Sequence, residues 1–333
     1  MSSPEEDLPL GDYLAEWLER RRSHLRPSSL ATYRGVVRNH LQPHLGSVSL
    51  SELDRRTIER VYARLLDSGG QGGEPLSPRT IKKIHVILGA ALNDARLDGL
   101  IKTNPTEHAQ PPKRDPWATE IKDELRVWTS HQARRFLDCV EDHRLRALWH
   151  LALGTGARRG ELLGLRWQDV DLADGTVTIQ RSLTVIDGIA RLLGTKTSRC
   201  RRLTIGASVV DALERQRVEQ EAELLESDRV EHNAWGLVFT TPSGRYVNPS
   251  GVSWVFHGLV RAHDLPAIRL HDLRHTHASL LLELGVPIKV ISERLGHTTI
   301  ATTMDIYAHL VPAMDQQAMA AFDTAIRDSS DEG

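Results

Sequence analysis

Arg158, Lys196, His271, Arg274, His297 and Tyr307 are the residues of this chain whose types could together do phosphate chemistry. Cutting a phosphodiester without a metal needs a nucleophile, cations that hold two phosphate oxygens while a fifth ligand arrives, and an acid for the departing oxygen. A tyrosine hydroxyl, two guanidinium groups, two imidazoles and an ammonium supply all three classes. Arginine meets phosphate charge best, because its planar fork donates two directed hydrogen bonds and stays protonated. Taken singly, each position has a plainer reading as a surface ion pair, a solvated loop cation or a packing residue.

Local context adds weight. Arg158 lies in TGARRGEL (155–162), at the start of a short helix whose backbone N–H groups also favour an anion. Glu161 follows at i+3 and could orient the guanidinium or simply pair with it on the helix surface. Lys196 occupies GTKTSR (194–199), read as a turn at the tip of a hairpin, where an ammonium could reach a leaving oxygen as general acid. In RLHDLRH (269–275) His271 and Arg274 are i, i+3 neighbours, so one oxygen could meet both. His271 and His275 could instead hold a metal, but no third ligand has suitable spacing and His277 faces elsewhere on the helix. LGH (295–297) sets His297 directly after a helix stop. Tyr307, in TTMDIYAHL, falls in a helix that Thr302 can cap. A phenol with an ordinary pKa near ~10 needs cations or a base beside it to become a nucleophile.

In this order, TGARRGEL, the Lys196 turn, HDLRH, LGH and IYAHL resemble the successive signature boxes of the tyrosine site-specific recombinases, the phage-integrase family. The resemblance covers residues 129 to 310 and is specific in combination. It implies Tyr307 as nucleophile, Arg158 and Arg274 as phosphate clamps and Lys196 as general acid. It gives His271 a part in proton transfer, His297 a hydrogen bond to phosphate, and Glu161 a supporting place behind the site. It further implies strand exchange through a 3′-phosphotyrosyl link and a Holliday junction, on double-stranded DNA core or attachment sites held by a homotetramer. No ATP, metal or other cofactor is required, and a directionality factor is a possible partner. Integration or excision of a mobile element is the expected use. An Xer-like chromosome or plasmid recombinase, a type IB topoisomerase-like enzyme and a non-enzymatic helix-turn-helix regulator built on 286–310 are the alternatives.

The elements that must position these residues are mainly helical. Amphipathic segments at 10–23, 28–41, 51–67 and 78–97 predict a four-helix bundle, with Ser51 capping the third helix and Ser77 the fourth, ahead of Pro78. Arg79, Lys82 and Lys83 form a basic stripe on the fourth helix, opposite Ile81, Ile84, Leu88 and Leu92, and read as DNA-binding or as a solvated face. Four prolines between Asn104 and Pro116 predict a semi-extended linker. Helices are expected at about 130–140, 144–153 and 158–165, strands at 176–180, 190–193 and 202–205, and helices again at 211–231 and beyond Asn248-Pro249. Arg199, Arg201 and Arg202 in the hairpin are expected to meet the DNA backbone. The fold class is thus mainly α: a SAM-like four-helix core-binding domain, and a mixed, mostly α catalytic domain with a small three-stranded antiparallel sheet. The expected division is an acidic segment 1–9, a core-type DNA-binding domain 10–103, a linker 104–128, a catalytic domain 129–310 and a C-terminal helix and tail 311–333. Met314, Ala318, Phe322 and Ile326 recur at helical spacing in that tail and could dock on a neighbouring subunit. Only nine residues precede the first helix, so an arm-type DNA-binding module is not expected.

Bulk composition agrees. A 333-residue chain accommodates two cores, and no apolar run reaches a membrane span of ~18–20 residues. A cytoplasmic protein is expected. Cys139 and Cys200 fit neither a disulfide framework nor a zinc site. The formal net charge of -2 hides an uneven distribution. Acidic residues gather at 5–7, 211–231 and beyond 311, leaving the remainder net positive, so the total does not exclude a nucleic-acid partner.

Overall fold

The computed structural model describes residues 8–70, 72–113, 126–195, 200–226 and 233–307, with 319 and 323; of residues 302 and 305–307 it describes the backbone alone. Lys196, Arg199 and the docking positions of the tail lie outside the described residues, as does the side chain of Tyr307. The chain forms two compact units that divide between Ile121 and Lys122.

The first unit is helical. Helix α1 (Leu10–Arg21) is followed by α2 (Pro27–Val36), which runs through a π-turn at Val37–Leu41 into the short α3 (Gln42–Leu45). Helices α4 (Arg55–Ser68) and α5 (Pro78–Leu97) complete the bundle. Helix α5 is its axis: Ile81, Ile84, Leu88, Ala91 and Leu92 are fully buried, while Arg79, Lys82 and Lys83 lie exposed. Helix α1 packs on it with polar ties, Tyr13 Oη donating to the Ala91 carbonyl (2.8 Å) and both Trp17 Nε1 and Arg21 to Asp94 (2.7 Å each). Ser77 caps α5 as expected, its Oγ accepting from Thr80 N at 3.2 Å. The cap of α4 is Asp54, which accepts from Thr57 N at 2.7 Å; Ser51 instead bonds Ser49 within the preceding turn. The start of the expected linker is folded onto this unit. Asn104 caps a single 3₁₀ turn at Pro105–Glu107 and donates to the Gly89 carbonyl (3.1 Å), and Gln110 N donates to Glu59 (3.0 Å).

In the second unit, α6 (Ser130–Cys139), α7 (Arg146–Thr155) and α10 (Pro249–Ala262) enclose an aromatic centre of Trp128, Phe136, Trp149 and Phe256, with ring centroids 5.0 to 6.2 Å apart. Thr129 and Gln132 form a reciprocal capping box that starts α6. Helix α7 continues through Gly154 and ends at Gly156, which takes the left-handed conformation (φ 61°). The short α8 (Arg159–Leu163) follows. It lies so close to the sheet that a Cβ on Gly160 would come within 2.8 Å of the Leu183 carbonyl oxygen, and one on Gly164 within 2.8 Å of Leu183 N.

The sheet differs from expectation in its membership. Strands β1 (Val170–Asp171), β2 (Thr176–Ile179) and β5 (Arg201–Thr204) form a three-stranded antiparallel sheet in the order β1-β2-β5. Strands β3 (Arg181–Ile186) and β4 (Ile189–Gly194) form a separate hairpin closed at Asp187-Gly188. Only Gln180 separates β2 from β3, so two return strands pair with successive halves of nearly one ribbon. The expected strand at 190–193 therefore joins β3 rather than the three-stranded sheet. Strands β4 and β5 do not pair with each other, so they are not the two arms of one hairpin; Lys196, between them, lies outside the described residues.

Helix α9 (Ala207–Glu226) packs on α7. Its acidic face is partly used: Glu223 pairs with Arg144 (2.6 Å) and Glu219 with Arg146 (2.7 Å). Helices α11 (Asp272–Glu283), α12 (Ile288–Leu295) and α13 (Ile300–Tyr307) end the described core. Helix α13 begins two residues before Thr302, which therefore lies inside it. Among the described residues no helix is long and apolar enough to cross a membrane, and no cluster could hold a metal ion. Cys139 and Cys200 are free and exposed.

Candidate active site

The end of α7, the start of α8 and the start of α11 meet the turn that closes α12. Gly296 ends α12 in the left-handed conformation (φ 67°, ψ 43°) and sends the chain into His297. The last carbonyls of a helix lack intrahelical donors and carry the negative end of its dipole. Here they collect guanidinium groups. Arg274 donates to the Leu295 carbonyl and to the Gly156 carbonyl, both at 2.7 Å. Arg158 reaches the Gly296 carbonyl at 3.5 Å, a long contact. The Arg294 side chain turns back to the carbonyls of Gly154 (3.1 Å) and Thr204 (3.2 Å), pinning α12 to α7 and β5.

Arg158 precedes α8, and Glu161 meets it twice: Oε2 accepts from Arg158 N (2.9 Å) and Oε1 from Nη1 (3.0 Å). The helix start that could have favoured an external anion thus already faces the chain's own carboxylate. Arg201 on β5 gives Glu161 its second guanidinium, at 2.6 Å. Burial opposes ionisation of Glu161, but Arg201 and the N–H and guanidinium of Arg158 outweigh it and hold the carboxyl below its ordinary range.

Arg201 is accordingly not a surface cation. Its side chain is 9 % exposed, and its Nε donates to the Arg294 carbonyl (2.8 Å). Strand alternation explains this placement, since Arg201 points to the side of buried Leu203 and Ile205. Arg202, on the other side, is exposed and bonds Thr176 and Asp174.

His271 immediately precedes α11 without capping it through its side chain, and its ring lies edge-on to that of His275, 5.4 Å between centroids. Desolvation and then the Arg274 charge lower its pKa. His297 shares Thr303 Oγ1 through Nδ1 at 2.7 Å. Burial first, then Arg274 and Arg158, push it down to about 4, so the ring is neutral near pH 7. The smaller contributions of His275 and Arg201 act in the same direction. His277 stays apart: it lies under Gly156, Nδ1 bonded to the Leu153 carbonyl (2.7 Å), with burial lowering it to about 4. The structure thus brings together Arg158, Glu161, His271, Arg274 and His297, and sets Tyr307 at the end of α13 after the His297 turn.

The model of the "Phage integrase family" matches residues 126–314, and that of the "Phage integrase, N-terminal SAM-like domain" matches 10–66. A XerC-like tyrosine recombinase of Caldanaerobacter subterraneus subsp. tengcongensis is 31 % identical over 94 % of this chain and 82 % of its own length. The ICEBs1 integrase of Bacillus subtilis is 27 % identical over 86 % of this chain and 75 % of its own. The chain belongs to the phage integrase family of tyrosine recombinases. It is similar in fold to the Tn1549 transposon integrase in complex with a circular intermediate DNA (TM-score 0.74, 21 % identity, 94 % of this chain and 99 % of that one). The lambda integrase tetramer bound to a Holliday junction is another neighbour (TM-score 0.65, 18 % identity, 91 % and 78 %).

Proposed function

We propose that this protein is an integrase-type recombinase that exchanges strands between two DNA core sites as a homotetramer, for integration or excision of a mobile element. The observation that carries the site assignment is the convergence of Arg158, Arg274 and His297 on the turn at Gly296, with Glu161 behind them. Arg158 and Arg274 take the two non-bridging oxygens of the scissile phosphate, and His297 donates a hydrogen bond beside them. The Tyr307 hydroxyl attacks phosphorus, forming the 3′-phosphotyrosyl bond as the P–O5′ bond breaks. Lys196 gives its proton to the leaving 5′ oxygen, and His271 assists the tyrosine's proton transfer. The reverse attack, by the 5′ hydroxyl of a partner duplex, restores the phosphodiester. One phosphoester is exchanged for another at each step, so no external energy source is needed. Charge stabilisation by preorganised donors is the main source of rate, each worth on the order of 10²–10³.

The test is an SDS-resistant protein–DNA adduct on nicked or junction DNA bearing the core site, with EDTA present. The wild type should form it, and Tyr307→Phe should form none while binding the same DNA. No wild-type adduct on a verified binding site would sink the reading; an adduct with relaxation but no strand exchange would favour a topoisomerase.

A further inference from the structure

Three successive carbonyls at the end of α12 each accept from a different arginine: Arg294 from Arg201 (2.8 Å), Leu295 from Arg274 (2.7 Å) and Gly296 from Arg158 (3.5 Å). Two of these arginines are the phosphate clamps of the function proposed above, on which the present inference rests. The third differs in kind. Arg201 has its Nη2 on Glu161 Oε2 (2.6 Å) and its Nε on a main-chain carbonyl, and a Cβ on Gly296 would lie 3.0 Å from its Nη1. A guanidinium so enclosed is spent inside the protein.

We propose that Arg201 is a positioning residue for strand cleavage: it occupies one oxygen of Glu161 so that Arg158 is aligned by the other without being captured by both. A carboxylate facing one arginine favours the bidentate fork. With Arg201 present, Glu161 divides its charge between two cations; the Arg158 guanidinium keeps only the Nη1 bond at 3.0 Å and the long contact to Gly296, while its backbone N–H shares Oε2 with Arg201. The Arg158 side chain, 29 % exposed, can then turn the rest of its guanidinium to phosphate. Arg201 simultaneously ties β5 to the α12 terminus from which His297 departs, so one side chain sets the clamp and the imidazole in register. A displacement of about 1 Å at such a clamp costs about 100-fold in rate.

The experiment is single-turnover adduct formation on nicked core-site DNA at saturating protein, beside DNA affinity, for the wild type, R201M, R201K, E161Q and the R201K/E161Q pair, below their unfolding temperatures. R201K keeps the buried charge but reaches one acceptor at a time, and so guards against R201M failing to fold. The expected result is a loss of about 10–100-fold in cleavage rate with affinity within about 3-fold of wild type, and a pair no slower than E161Q alone. Weakened affinity with an unchanged rate at saturation would make Arg201 a DNA contact and overturn the proposal. So would an unchanged rate in R201K, or losses that multiply in the pair. If the wild type forms no adduct, the parent reading falls and this one with it; a wild-type adduct with an unaffected R201K removes this one alone.

Discussion

Glu161 lies between two guanidinium groups with 2 % of its side chain exposed, so its substitution tests how much the site depends on a buried charge. Glu161→Gln leaves Arg201 buried without its counter-ion, which should cost about 3 kcal/mol in the second unit, read as a lowered urea midpoint. Three histidines give the same unit a pH dependence. His275, His277 and His297 are each lowered to about 4, chiefly by burial. Between that value and the ordinary ~6.5 the unfolded chain binds more protons than the folded one. Their contribution is therefore complete above about pH 6.5 and is lost as the pH falls towards 4. Thermal melts at pH 8, 6 and 5 should show a falling midpoint, and a flat profile would contradict the burial of these rings. Arg158, Glu161, His271, Arg274 and His297 were singled out by the boxes that resemble the recombinase signatures, not by any one residue alone. Arg201 was read as one of a basic run, although its parity with Leu203 and Ile205 carried the correct direction.

Caps and stops explain why the helices were readable: Ser77, Thr129 and Asn248 each accept from a backbone N–H of the helix they begin. The strands were less so. In β3 only Leu183 and Ile186 are buried, so strict alternation fails, and nothing in the residues shows that β2 and β3 take different partners. The junction of α8 with β3 was also invisible, since it rests on missing side chains. Gly164→Ala would drive a methyl against the Leu183 main chain, and Gly160→Ala against Ser182 and the Leu183 carbonyl. Overpacking of this kind typically costs about 1–3 kcal/mol. Each should lower the melting temperature and slow adduct formation, because α8 carries the Arg158–Glu161 pair. Gly258→Ala, on α10 with nothing near its added Cβ, should instead raise stability by about 0.5–1 kcal/mol.

Across the whole chain, the near-neutral total is a balance of segregated charges rather than a weak field. Arginine supplies 35 of the 42 basic residues, and part of the acidic surplus on α9 is spent on Arg144 and Arg146. The exposed stripe of Arg79, Lys82 and Lys83 is then a candidate for the phosphate contacts of the first unit. Charge reversal of all three should weaken core-site binding at low salt and reduce the slope of log affinity against log salt by about 0.9 per lost phosphate contact. Equal affinity and equal slope would return the stripe to a solvated face. The two-unit architecture was readable from the proline-rich segment, but the folding of 104–110 onto the first unit was not, because Asn104 and Glu59 find their partners only in three dimensions.

The carbonyls that receive Arg201, Arg274 and Arg158 belong to the main chain, which every residue type possesses. Lineages can therefore change the side chains at 294 and 295 without deleting an acceptor, whereas adding or removing one residue before His297 would shift all three at once. Along this stretch the spacing keeps the three acceptors in place, while Gly296 allows the turn and the Arg294 side chain anchors it.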